Sequence, residues 1–166
     1  MAIRREVLFE VGGFNPELIG TSTIGDGESG LNRKLQERGY LIGYVPGAIV
    51  YHHIPPARMT LDYLCRWQAH LAGAQLYSLY HMRMPGPLRL SVDAIAALLS
   101  VAGIWVPARY VRSLTNRFAV SLKLRAALGA ARFRYILRLL FDRDIRRMVA
   151  HRDWLNCYPT APDTKR

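Results

Sequence analysis

Cysteine is scarce in this sequence, and the two cysteines, Cys65 and Cys157, are far apart and belong to no Cys-x-x-Cys pair. This usage excludes a disulfide-stabilised scaffold and favours reduced thiols. The opening residues MAIRREVLFE reach Glu6 before any apolar stretch of useful length, so no secretory signal peptide is expected. Together these absences predict a protein that is made and kept in the cytosol.

Acidic residues are scarce in the second half of the chain only. Residues 1–80 contain seven Lys or Arg and seven Asp or Glu, whereas residues 81–166 contain sixteen and five, so the second half carries the whole net charge of +11. The two halves are therefore expected to face different partners. The tripeptide PGP at residues 85–87 interrupts helical sequence between them. It sets a predicted boundary between a domain at residues 1–84 and a helical region at residues 85–166.

A hydrophobic run long enough to span a bilayer is also missing. Residues 94–108 are fifteen uncharged residues, fewer than the roughly 20 that a spanning helix needs, so a buried or interfacial helix is favoured. Residues 116–154 then interleave Arg with Leu, Phe and Ile at near-helical spacing, with Leu137, Leu140 and Phe141 on the apolar side. This pattern predicts a basic amphipathic helix on an anionic membrane surface.

The first half contains an acidic turn, DGE at residues 26–28, just before Leu31 and Leu35 at i, i+4 spacing. Acids stabilise the N-terminus of a helix through its unpaired N–H groups and its dipole, and Gly39 is suited to end such a helix. The turn taken alone therefore predicts a helix start. The alternative is that one of its acids performs chemistry.

Periodicity predicts the elements around this turn. The segment IRREVLFEVGGF at residues 3–14 is typical of a short helix that ends at its glycine pair. The segments YLIGYVP at residues 40–46 and AIVYHH at 48–53 are rich in β-branched and aromatic residues and predict two strands. Residues 60–80 repeat apolar residues at helical spacing. Two short strands are marginal alone in water, so we expect them to complete a larger sheet.

Four motifs in this order resemble the acceptor-side half of a family 2 glycosyltransferase of the GT-A type: RREVLFEVGGF, the acidic turn, the helix end KLQERGY, and Val-Tyr-His at residues 50–52. The resemblance covers roughly residues 3–70. It implies an α/β fold, a partial GT-A, nucleotide-diphospho-sugar transferase-like domain, followed by an all-α region associated with the membrane. The implied activity is inverting transfer of a sugar from a nucleotide-diphosphate sugar to an acceptor hydroxyl.

The resemblance also implies roles for individual residues. Glu28 falls at the position of the catalytic general base, and Asp26, in the same turn, is the second choice. His52 matches a histidine that approaches the metal and diphosphate, whereas His53 would lie on the opposite face of the predicted strand. Arg58 is a candidate phosphate contact in substrate binding. A divalent metal, Mg or Mn, is implied for the full family domain.

The motifs with which such an enzyme binds its nucleotide-sugar donor are not found in this sequence. No βαβ nucleotide-binding region leading to an Asp-x-Asp metal motif, no Gly-rich phosphate loop and no Cys/His metal cluster is found. The metal is therefore not expected to bind this chain alone.

The partners implied by the resemblance are a nucleotide-sugar donor, a saccharide or lipid-linked acceptor, and a missing N-terminal half or partner chain. An anionic membrane surface is the further expected partner, with a cytoplasmic location, peripheral at the inner face of the cell membrane. The alternative is a non-catalytic membrane-associated remnant or partner protein. Nucleic-acid binding is disfavoured, because no basic stretch matches a known module.

Overall fold

The computed structural model describes residues 2–15, 18–19, 22–23, 26–81, 83–108 and 116–151. Cys157 and the end of the predicted basic helix lie outside these residues. The described elements are α1 (Arg5–Glu10), β1 (Leu18–Ile19), β2 (Ser22–Thr23), α2 (Gly27–Glu37), a 3-10 turn (Pro56–Met59), α3 (Leu61–Tyr80), α4 (Pro87–Ala108), α5 (Arg117–Phe141) and α6 (Arg143–Ala150).

The two strands predicted at residues 40–46 and 48–53 do not form. Both segments are exposed, non-helical chain joined by a turn at Pro46 and Gly47. The only sheet among the described residues is the antiparallel pair β1 and β2, each two residues long, with Leu18 opposite Thr23. The prediction of an α/β, partial GT-A domain is therefore wrong, and helices dominate the described chain.

The reason for this difference is that a strand depends on its neighbours. Its backbone groups need a hydrogen-bonded partner strand, and its β-branched residues need a half-buried surface to pack on. No described segment supplies either to residues 40–53, and Leu41 is 99% exposed as a result. Residues 40–53 therefore have the composition of strands but no neighbouring strand in the described chain to pair with.

The helix at the start of the chain and the helix after the acidic turn confirm two predictions. α1 ends at Gly12 and Gly13, with φ of 77° and 63°, and α2 ends before Gly39, with φ of 79°; these are left-handed conformations that favour glycine. The two helices bury a small apolar cluster of Val7, Val11, Leu31 and Leu35. This cluster fixes the start of α2 relative to α1.

The larger core lies between α3, α4, α5 and α6. Its buried members are Leu76, Tyr77, Tyr80, Leu90, Ala94, Ala97, Tyr135, Ile136, Leu139, Ile145, Met148 and Val149. α4 and α5 approach closely at Gly129, where an added Cβ would overlap the Val101 side chain. Small residues at such a point let two helix backbones come together.

Helix α3 lies on the N-terminal side of the predicted boundary at residues 84/85 but packs against the helices that follow it. The Tyr80 hydroxyl donates to the Asp93 carboxylate at 2.8 Å, and Arg132 donates to the Gln75 side-chain oxygen at 2.7 Å. These contacts link α3 to α4 and to α5. Among the described residues, no helix combines the length and the apolar character needed to cross a bilayer.

Candidate functional site

The two acids of the turn occupy different environments. Asp26 is the residue before α2, with only 6% of its surface exposed, whereas Glu28 is exposed on the first turn of the helix. Gly27 between them has a φ of 46°, which turns the chain into the helix. The turn therefore presents Glu28 to solvent and directs Asp26 into the protein.

Asp26 is held by residues from three parts of the chain. Its Oδ1 accepts a hydrogen bond from the Asn15 amide at 2.8 Å, and its Oδ2 accepts one from the Ser78 hydroxyl at 2.5 Å. An Arg33 guanidinium nitrogen lies 3.7 Å from Oδ2, and Arg33 also donates to the Ser78 carbonyl at 2.8 Å. We call these four residues the Asp26 network. It joins the loop before α2, α2 itself and the last turns of α3.

The side chain of Asp26 makes no hydrogen bond to the first N–H groups of α2. Its oxygens are directed to side chains instead, so helix capping does not explain the burial of this carboxylate. Gly30 is part of the explanation, because a Cβ at this position would overlap both the Asp26 carboxylate and the Asn15 amide. The absence of a side chain at Gly30 makes room for the Asp26 network.

A cavity of about 300 Å³ lies beside the Asp26 network. It is lined by Val11, Asn15, Gly30, Arg33, Lys34, Glu37, Arg38 and His81. Its cations are already engaged: Lys34 donates to the Gly13 carbonyl at 3.1 Å, and Arg38 lies 3.6 Å from the Glu10 carboxylate. The Oδ1 atom of Asn15 is buried and has no hydrogen-bond partner in the described structure.

His81 closes the end of this cavity. Its ring stacks on Tyr77, with ring centroids 4.7 Å apart, and it is buried at 7% exposure. Its Nδ1 lies 2.7 Å from the Val149 carbonyl, which can only accept, so Nδ1 is the protonated nitrogen. This bond ties the end of α3 to α6 and gives His81 a structural contact.

The structure does not bring His52, His53 and Arg58 into the Asp26 network. Both histidines are exposed in the non-helical segment, and Arg58 is in the 3-10 turn with its guanidinium 5.9 Å from the centre of the Tyr63 ring. None of the described hydrogen bonds or ion pairs joins these residues to Asp26 or Glu28. The described residues contain no group of three or more His, Cys, Asp or Glu side chains arranged to hold a metal ion.

One triplet with Asp-x-Asp spacing does occur, Asp142-Arg143-Asp144, and it begins α6. The Asp142 carboxylate accepts hydrogen bonds from the backbone N–H groups of Asp144 at 3.0 Å and Ile145 at 3.1 Å, and Asp144 lies 3.5 Å from Arg147. The triplet therefore caps a helix. It lies at the junction of α5 and α6, so it does not follow a βαβ unit as the metal motif of the family would.

Sequence reasoning found Asp26 and Glu28 but missed Asn15, Arg33 and Ser78. Ser78 lies 52 residues after Asp26, inside a helix whose periodicity gives no reason to single it out. The only available local signal was Gly30, an unusual residue inside a helix. The partners of Asp26 could be identified only once α2 and α3 were placed side by side.

No protein-family model matches the chain, and neither the curated proteins nor the solved structures include a match to it. The candidate site therefore rests on the residues and the geometry described above.

Proposed function

We propose that the chain takes part in sugar transfer, with Glu28 as the general base that accepts the proton of the acceptor hydroxyl. The exposed position of Glu28 on the first turn of α2 carries this proposal, since a base must reach its substrate. The resemblance of residues 3–70 to family 2 glycosyltransferases supports the chemistry only, because the α/β fold that it implies is contradicted.

The proposed step is an inverting displacement. The acceptor oxygen forms a bond to the anomeric carbon of the sugar while the bond from that carbon to the diphosphate breaks. The nucleoside diphosphate leaves with the electron pair, and the hydroxyl proton passes to Glu28. A positioned carboxylate contributes roughly 10²–10⁴-fold to such a step.

Asp26 has a different part in this proposal. Three neighbouring side chains already occupy its carboxylate, so we assign it the role of fixing the turn that carries Glu28. In this proposal the nucleotide-sugar donor and its Mg or Mn ion would be held by a further segment or a partner chain. The exposed His52 and Arg58 would then be the residues of this chain that contact the metal and the diphosphate.

The proposed location is peripheral, at the inner face of the cell membrane, where a lipid-linked or polysaccharide acceptor would be reached. The charge of the second half supports this location, because anionic lipids attract Lys and Arg. A second candidate is a non-catalytic membrane-associated partner protein, which the exposed apolar residues of α4 favour. The two candidates differ in whether the protein has an activity that requires the Glu28 carboxylate.

The experiment measures nucleoside diphosphate release from a panel of nucleotide sugars by this chain together with the donor-binding segment or chain that the proposal requires. We expect Glu28→Gln to lower turnover by roughly 10² or more while donor binding stays nearly unchanged. Glu37→Gln, which removes an exposed carboxylate at the other end of α2, is the matched control and should retain activity. Equal turnover of the two variants would exclude Glu28 as the base and favour the non-catalytic candidate.

A further inference from the structure

Helix α4 carries a row of exposed apolar side chains along one face. The members are Leu88, Val92, Ile95 and Leu99, which are 82%, 53%, 57% and 68% exposed. Their spacing of four, three and four residues places them on one side of an α-helix. Leu90, Ala94 and Ala97 on the opposite side are buried in the core. We call the four exposed residues the α4 face.

The α4 face is not explained by packing within the described chain. Single exposed apolar residues are ordinary on a protein surface, but a continuous row marks a binding surface. The helix is 22 residues long, so it extends over about 33 Å. Its residues after Asp93 are all uncharged. The α4 face, from Leu88 to Leu99, extends over about 17 Å of this helix.

Cations border this uncharged stretch in the sequence. Arg83 and Arg89 precede it, within a half of the chain that holds sixteen Lys or Arg against five acids. The Arg89 side chain is 72% exposed although it pairs with Asp93 at 3.1 Å. An apolar helix face bordered by cations is complementary to an anionic bilayer, whose acyl region is apolar and whose headgroups are negative.

The sequence predicts the basic helix α5 as the membrane surface, but the core takes up part of its apolar side. Ile136 and Leu139 are buried in the core, and Leu140 packs against it from a partly buried position. Phe141 remains 83% exposed at the end of the helix. Ile136, Leu139 and Leu140 of α5 thus pack with the other helices, and α4 has the longer row of exposed apolar residues.

We propose that the α4 face binds an anionic lipid surface, with α4 lying in the headgroup plane and the exposed Arg83 and Arg89 in contact with the negative headgroups. The inference rests on the peripheral membrane location under the proposed function and identifies the surface that would produce it. It does not depend on sugar transfer by Glu28.

The test is flotation of the full chain with vesicles of phosphatidylcholine alone and with added phosphatidylglycerol. We expect binding to the anionic vesicles only, with a decline but no loss as salt rises to physiological strength, because screening weakens the arginine contribution and leaves the apolar one. Replacing Ile95 and Leu99 together by Asp should raise the lipid concentration for half-binding by roughly 100-fold.

The matched control replaces Leu41 and Tyr44 together by Asp. These residues are large hydrophobic residues that are even more exposed, at 99% and 89%, and the change in net charge is the same, but they lie outside α4. We expect the control to bind vesicles within a few-fold of the unmodified chain. A second set of variants has Ser instead of Asp at the same two pairs of positions, and it separates loss of apolar contact from added negative charge. We expect the α4 variant again to bind vesicles more weakly than the control. Circular dichroism verifies the helical content of every variant.

Three results would overturn the proposal. The control could lose as much binding as the α4 variant, or neutral vesicles could bind as well as anionic ones. The third is a lipid-free dimer in sedimentation velocity that the Ile95 and Leu99 replacements abolish, which would make a second copy the occupant of the α4 face. Glu28→Gln should float like the unmodified chain, so failure of vesicle binding and failure of sugar transfer are separate outcomes.

Discussion

Asp26 is a buried carboxylate whose partners explain its position in the structure. A carboxylate group that is nearly inaccessible to water needs charged or hydrogen-bonding partners, and Asn15, Ser78 and Arg33 supply them. The partners come from separate elements, so the carboxylate links them to one another. Glu28, two residues later, has no such surroundings because the helix start turns its side chain outward.

The first prediction at this scale is that Asp26→Asn destabilises the protein by about 1–3 kcal/mol. The new amide presents N–H groups where the carboxylate accepted hydrogen bonds, and it removes the charge near Arg33. Glu28→Gln should change stability by less than about 0.5 kcal/mol, since its side chain is on the surface. Urea denaturation of both variants measures the difference. Equal stabilities would mean that the Asp26 network does not support the fold.

Helices α1, α2 and α3 are elements whose limits follow from local chemistry. α3 is capped by Thr60, whose hydroxyl accepts from the Tyr63 backbone N–H at 3.2 Å, and α1 and α2 are followed by glycines with positive φ. The segment at residues 40–53 behaves differently, because a strand is completed by another strand. Local sequence was therefore a sound guide to these helices and misleading for the sheet.

The cap at the start of α6 supports a prediction about this element. Asp142→Ala removes the acceptor for the Asp144 and Ile145 backbone N–H groups and should cost about 1 kcal/mol. The loss should reach the core, because Ile145, Met148 and Val149 of α6 are buried in it. Asp142→Ser keeps a capping oxygen and should recover most of the stability in the same thermal or urea unfolding experiment. A loss as large as that of the Ala variant would indicate that capping is not the cause.

At the scale of the whole molecule, the buried tyrosines of the helix core make the free energy of unfolding fall at alkaline pH. Burial raises the pKa of Tyr135 well above its ordinary value of 10.0. The pKa of Tyr80 is also raised, mainly by burial and secondly by the hydrogen bond to Asp93. A raised folded pKa stabilises the protein below pH 10, and this contribution is lost as the pH rises above 10 toward the folded values.

The expected result is a fall in the free energy of unfolding above pH 10 that Tyr135→Phe makes shallower. The ionised phenol is favoured only in the unfolded chain, so one buried tyrosine contributes a slope of up to about 1.4 kcal/mol per pH unit. Urea unfolding between about pH 8 and 11 measures it. Tyr51→Phe, at a 94% exposed tyrosine, is the control and should leave the slope unchanged. An identical slope in the Tyr135 variant would refute this origin of the pH dependence.

The sequence by itself determined the helices near the N-terminus, the long α3 and the uneven distribution of charge. Each of these depends on residues a few positions apart, such as Leu31 and Leu35 on one face of α2, or on composition alone. It also directed attention to the acidic turn at residues 26–28. These features required no knowledge of how distant segments meet.

Only the tertiary structure decided which acid of the turn is buried, because the Ser78 hydroxyl reaches Asp26 across 52 residues of sequence. It likewise decided that residues 40–53 form no sheet and that α4, rather than α5, presents the longer free apolar row. Periodicity identifies the apolar face of a helix but not what covers it. Whether such a face becomes core or binding surface depends on its neighbours in space.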